Sequence, residues 1–206
     1  MLVVHHLNES RSQRILWLLE ELGLPYEIAH YQRDATTRLA PAELKAVHPL
    51  GKSPVITDNG RTIIESGAIV DYLIRHYGGG RLQPAADTPA YDDYQQWLHY
   101  SEGSAMLPLL LKLYVGRLGD AGAPLAPRIE GEIGNHMGFV DQYLATRQWL
   151  VGDSLSGADI QMSFVGEAMR GLRAKFPHID AWVKRFQARP AYRKALERGG
   201  PYSMAS

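Results

Sequence analysis

Two β-branched runs, Pro54-Val55-Ile56-Thr57-Asp58 and Thr62-Ile63-Ile64, stand on either side of Asn59-Gly60. Asn-Gly accepts the left-handed backbone of a type I′ turn at little cost, so this is the strongest short hairpin signal a sequence offers. It fixes an antiparallel pair of strands, and the rest of the N-terminal region has to be built around it. Leu2 to Leu7 is a short apolar run that reads as a buried strand. Ile15, Leu18, Leu19 and Leu22 then recur at helical spacing with Glu20 and Glu21 expected to face outward, and Gly23 and Pro25 end the helix. Tyr26 to Tyr31 reads as a second strand, Gln32 to Thr37 as loop, and Pro41 to Val47 as a short helix. A further helix runs from about Ser66 to Tyr77. The order is β-α-β-α-β-β-α.

Gly78-Gly79-Gly80 opens a stretch rich in Gly, Pro and Ala that continues to Pro89 without periodicity and reads as a linker. The expected division is a domain over 1–78, a linker over 79–88 and a second domain over 89–206. Everything in the second domain has helical character. A long helix is expected from Tyr91 to about Leu118, bent at Pro108. Another is expected from about Pro127 to Leu144, although Gly131, Gly134 and Gly138 weaken it. In "LSGADI", Ser156 and Asp159 have the spacing of a capping box, and Leu155 can staple onto Ile160, which marks a helix start. Short helices near Ile179 to Ala188 and Ala191 to Arg198 complete the chain.

Composition removes whole classes of chemistry. There is no cysteine, so disulfides, thiolate nucleophiles and zinc–thiolate sites are impossible, and a reactive sulfur can only arrive with a ligand. The eight histidines include no H-x-x-x-H pair, and the adjacent His5 and His6 point to opposite faces of a strand, so no metal site is expected. Basic and acidic residues balance at 22 each, which gives no reason to expect nucleic acid or an anionic membrane as partner. The N-terminus lacks the pattern of a signal peptide. The apolar stretch from Met106 to Val115 is too short to span a bilayer, so a cytoplasmic protein is expected.

"HPLGKSPVI", His48 to Ile56, contains Gly51-Lys52-Ser53 but is not a phosphate loop. Ala46 stands where the first glycine belongs, and a strand follows where a helix is needed. The residue of interest is Pro54. At the start of a strand it is either an ordinary trans proline or a cis one, which would turn the N–H and C=O of Ser53 outward to pair with a ligand's peptide backbone. Next, Glu65-Ser66 precedes a helix: Ser66 is a natural N-cap, and the pair also suits an α-amino acid head group. Finally, in "NESRSQR", Asn8 to Arg14, Ser10 and Gln13 form a second capping-box pair. The same hydroxyl at a helix N-terminus can instead donate to an anionic sulfur.

Taken together, the element order, "NESRSQRILWLLEELGLPYEI", "HPLGKSPVI" and "ESGAIVDYL" resemble the glutathione S-transferase family over the whole chain. The resemblance implies a thioredoxin-like α/β N-terminal domain followed by an all-α C-terminal domain. It implies glutathione as co-substrate, with Ser53 before a cis Pro54 holding the cysteinyl backbone, Glu65 and Ser66 the γ-glutamyl end, and Lys52 near the glycyl end; Arg33 and Arg38 are weaker candidates there. Ser10 matches the catalytic serine of the serine-type classes, with Ser12, Asn8 and Arg11 as alternatives. A small hydrophobic electrophile would lie near Tyr100, Ser104, Met106, Leu107 and Tyr114. The implied protein is a homodimeric transferase that conjugates glutathione to electrophiles. The same thiolate would also serve isomerisation or peroxide reduction, and the same fold serves as a binding module without turnover.

Overall fold

The computed structural model describes residues 1–205, in four strands and nine α-helices with short irregular turns between them. By packing, the described chain divides into two compact units, one comprising Met1–Gln83 together with the residues from Phe186 onward, the other Pro84–Arg185.

In the first unit, β1 (Leu2–Leu7) runs parallel to β2 (Glu27–Tyr31) and antiparallel to β3 (Val55–Asp58), and β4 (Arg61–Ile64) closes the order β2-β1-β3-β4. The hairpin forms where Asn59-Gly60 requires it, with φ of 47° and 82° at the two turn residues. Two registers align the strand ends: His5 lies opposite Val55, and Val55 opposite Ile64. Helices α1 (Ser12–Leu22), α2 (Glu43–Val47) and α3 (Ser66–Tyr77) connect the strands. Helix α1 ends at Gly23 in the left-handed conformation, as its sequence requires. Ile15, Leu16, Leu18 and Leu19 are fully buried, together with Val4, Ile56, Ile69 and Val70.

The C-terminal helix α9 (Pro190–Gly199) packs on α1 and belongs to the first unit. Trp17 stacks on Phe186 at 5.2 Å and meets Tyr192 edge-on at 5.5 Å. Glu20 and Glu21 do not face open solvent. Glu20 takes Lys194 and Arg198, and Glu21 takes Arg189. Desolvation alone would raise the Glu20 carboxyl, but Lys194, Tyr26 and Arg198 outweigh it and hold it below its ordinary value.

The second unit begins with α4 (Pro89–Tyr100), a π turn at Ser101–Ala105 and α5 (Met106–Gly116). The expected bend at Pro108 is therefore a π turn placed just before it. The carbonyl four residues before Pro108 belongs to Ser104, and proline has no N–H to give it, so the irregular hydrogen bonding gathers there. Helix α6 (Ala126–Leu144) is continuous despite its three glycines, because Ile129, Ile133, Met137, Val140 and Leu144 bury one stripe and packing overrides propensity. Helix α7 (Gly157–Ala168) starts at the expected capping box of Ser156 and Asp159, and α8 (Pro177–Gln187) leads back to the first unit. No helix among the described residues is long and apolar enough to cross a membrane.

Candidate functional site

The two sheet registers bring three separate stretches of sequence to one edge. Val55↔Ile64 is the terminal pair of the β3–β4 hairpin, so Ser53-Pro54 and Glu65-Ser66 leave the sheet side by side. β1 runs antiparallel to β3 and carries the chain through Leu7 to the same edge, where the β1–α1 loop begins. Ser53 is fastened there: its hydroxyl donates to the His5 carbonyl at 2.9 Å and accepts from Leu7 N–H at 3.4 Å. The Ser53–Pro54 bond is cis. Among the described residues, no hydrogen bond within the chain takes the backbone N–H or C=O of Ser53. Lys52 beside it is exposed.

The cap position expected of Ser66 falls to Glu65. Glu65 occupies the cap position of α3, with φ of 65° and its carbonyl accepting from Ile69 N–H at 2.8 Å. Ser66 is the first helical residue; it is buried, and its hydroxyl accepts from the Arg14 guanidinium at 3.3 Å. The Glu65 side chain is exposed at the same edge. Arg14, buried at 2% exposure, brings a fixed positive charge against Ser66. In the sequence Arg14 is only the last residue of NESRSQR; its signal is an arginine immediately before the apolar face that starts at Ile15.

The β1–α1 loop carries Ser10 and leads into Ser12 at the start of α1, and to these the structure adds His6. The Ser10–Gln13 capping box does not form: the Gln13 amide is buried with neither end hydrogen-bonded. Instead the Ser10 hydroxyl oxygen accepts from Ser12 N–H at 3.2 Å and lies 2.8 Å from the Ser12 hydroxyl. Ser12 in turn lies 2.8 Å from His6 Nδ1, and His6 Nε2 lies 3.1 Å from the Gly199 carbonyl. A carbonyl can only accept, so Nε2 carries the hydrogen and Nδ1 is an acceptor. The Ser12 hydrogen then goes to His6, at shorter range than its other acceptor, the Leu7 carbonyl at 3.3 Å, and Ser10 donates to Ser12. A single chain of donors runs inward from Ser10 to His6. His5 faces the other side of the strand, between the Tyr31 hydroxyl and Thr57, each at 3.0 Å.

Burial, with His30 nearby, pushes His6 down to about 4, against the hydrogen bond to Gly199 that raises it. His6 is therefore neutral at pH 7, which fixes the direction of the chain. Because its folded pKa lies below the ordinary value of about 6.5, its contribution to stability is complete above that value and is lost as pH falls towards 4. Histidine NMR should show one ring titrating near 4, and His6→Gln should remove that part of the acid destabilisation. A His6 midpoint near 6.5 would contradict this burial.

The remaining candidates fall into place plainly. Asn8 accepts from Arg33 N–H at 2.8 Å, and the Arg33 guanidinium donates to the carbonyls of Asn8, Glu9 and Arg38. Arg33 thus braces the β1–α1 loop, and Arg38 offers it a backbone oxygen. Arg11 is half-buried at the cap of α1. In the second unit, Tyr100 and Ser104 line a cavity of about 850 Å3, whose walls include Trp97, Phe139 and Tyr143. Met106 is buried, while Leu107 and Tyr114 are exposed and do not line it.

The family model of the glutathione S-transferase N-terminal domain matches residues 1–75, and that of the C-terminal domain matches 104–190. Glutathione S-transferase 3 of Schizosaccharomyces pombe is 36% identical, the match covering 96% of this chain and 88% of that protein. Glutathione S-transferase 1 of Saccharomyces cerevisiae is 34% identical over 95% of this chain and 94% of its own. A crystal structure of a glutathione S-transferase from Actinobacillus pleuropneumoniae superposes with a TM-score of 0.91 at 36% identity, covering all of this chain and 96% of that one.

Proposed function

The chain belongs to the glutathione S-transferase family, and on that premise we propose that it binds glutathione at the Ser53 edge and activates the thiol for attack on a small electrophile. The observation that carries this reading is the convergence at one sheet edge of Ser53 with its unengaged backbone pair, the Glu65-Ser66 helix start, and the Ser10 hydroxyl. Ser53 would pair with the cysteinyl backbone as an added strand does. The exposed Glu65 carboxylate would take the γ-glutamyl amine. The γ-glutamyl carboxylate would lie at the N-terminus of α3, where the helix dipole and the buried Arg14 favour negative charge. Lys52 would meet the glycyl carboxylate. This reading takes the protein as a cytoplasmic homodimer, as the family resemblance implies.

Activation follows from the donor chain. A cysteinyl thiol has a reference pKa of about 8.5, so most of it is protonated at neutral pH. The Ser10 hydrogen, held by Ser12 in the absence of ligand, would turn to the sulfur as the thiolate forms. That exchanges a neutral hydrogen bond for a charge-assisted one of roughly twice the strength, which favours the anion. Both hydroxyls are buried, Ser10 at 4% and Ser12 at 0% exposure, but Ser12 is also bonded inward to His6, so Ser10 is the better placed of the two. Within the second unit, the cavity walled by Trp97, Tyr100, Phe139 and Tyr143 suits an apolar, flat ligand.

The test is an ultraviolet difference titration with glutathione near pH 7. The chain has no cysteine, so any thiolate absorbance comes from the ligand. A saturable thiolate signal is expected; binding without one would make the protein a carrier, and no binding would end the reading.

A further inference from the structure

The loop that carries Ser10 is tied from two directions to residues at the far end of the sequence. On one side, the Glu9 carboxylate accepts from Ser203 N–H at 2.9 Å and from the Ser203 hydroxyl at 2.8 Å. On the other, the Gly199 carbonyl anchors His6, which holds Ser12, which holds Ser10. The second tie depends on Gly199 being glycine. A Cβ there would stand 2.6 Å from Gln13 Oε1, 2.8 Å from Leu16 Cδ1 and 3.3 Å from His6 Nε2. Glu9 itself holds a φ of 52°, a left-handed conformation that a glutamate keeps only when its surroundings fix it. Arg33 supplies part of that fixing through the backbone, and Ser203 supplies the rest through the side chain.

We propose that the C-terminal segment from Gly199 to Ser203 is a positioning element for Ser10, acting through His6 and Glu9. The inference rests on Ser10 serving the glutathione sulfur. Its ties run to His6 and Glu9, on the strand and loop that carry Ser10, so it governs activation of the thiol and leaves binding of the peptide alone. A hydroxyl must meet a sulfur with fixed distance and direction, and the loop between β1 and α1 has no regular structure of its own to provide that. Ser203 and Gly199 replace regular structure with two anchor points either side of the serine.

The test compares wild type with three variants in the full enzyme assay and the thiolate titration. Truncation after Gly200 removes Ser203 and keeps α9 whole. Gly199→Ala displaces the other anchor. Glu9→Gln weakens the first anchor in the full-length chain and guards against misfolding of the other two. Each should raise the pKa of bound glutathione, by about one unit for the first two, with kcat down roughly tenfold and KM for glutathione within about twofold. Arg189→Met is the control: it loosens the other end of α9 from Glu21, so it should lower the melting temperature without moving the thiol pKa. If the variants lose thermal stability as the control does while the thiol pKa and kcat stay put, the segment is only structural and the proposal fails. A wild type that forms no thiolate would overturn the functional reading itself, a distinct result.

Discussion

Replacing Asp159 with alanine is expected to cost about 3–5 kcal/mol of stability. The carboxylate is completely buried and accepts from four donors. Oδ1 takes Leu150 N–H at 2.9 Å and Trp182 Nε1–H at 3.0 Å; Oδ2 takes Ser156 N–H and the Ser156 hydroxyl, each at 3.0 Å. Alanine would leave three buried N–H groups without an acceptor, each costing about 1–3 kcal/mol. Asp159→Asn keeps the shape but turns an NH2 towards two donors, so it should lose more than half as much. Urea unfolding measures both, and a loss below about 1 kcal/mol would mean that water can take the carboxylate's place.

Asp159 also carries a pH signature. Burial pushes its pKa up to about 6, and the Leu150, Ser156 and Trp182 donors only partly offset that. A folded pKa above the unfolded value means that the native state holds the proton more tightly. The group's contribution to stability therefore falls as pH rises from about 4 to 6 and is level beyond. The stability gap between wild type and Asp159→Asn should narrow across that window and stay constant above it.

Ser10→Ala is expected to raise the pKa of bound glutathione by one to two units and to reduce kcat about 10- to 100-fold, the worth of one hydrogen bond to a charged sulfur. KM for glutathione should change little, because Ser53, Glu65 and Ser66 are untouched. Ser12→Ala separates connector from contact. It removes the donor to His6 and should lower stability, with a smaller effect on the thiol. The reverse ranking, with thiolate lost in Ser12→Ala and kept in Ser10→Ala, would transfer the role to Ser12.

Local chemistry decided much of this protein within the sequence itself. Asn59-Gly60 makes a hairpin whatever surrounds it, Gly23 stops α1, and Ser156 with Asp159 starts α7, because each signal acts over a few residues. The absence of cysteine, a matter of counting, required any reactive sulfur to come from a ligand. Ser53, Glu65, Ser66 and Ser10 were legible as candidates because their motifs lie beside element ends.

Tertiary structure decided what depends on partners distant in the chain. Glu20 and Glu21 look like solvent-facing charges until α9 brings Lys194, Arg198 and Arg189 over them. Ser10 and Gln13 have capping-box spacing, yet Ser12, itself held by His6, takes the Ser10 hydroxyl through its N–H and its own hydroxyl, and the box does not form. Arg14 is, within the sequence, only the end of NESRSQR, and only the sheet registers place Ser66 against it. The tie from Gly199 to His6 spans 193 residues, so no local pattern could contain it. Hydrogen bonds between distant residues form only where folding has already brought donor and acceptor together, and the sequence specifies such pairs only through the whole fold.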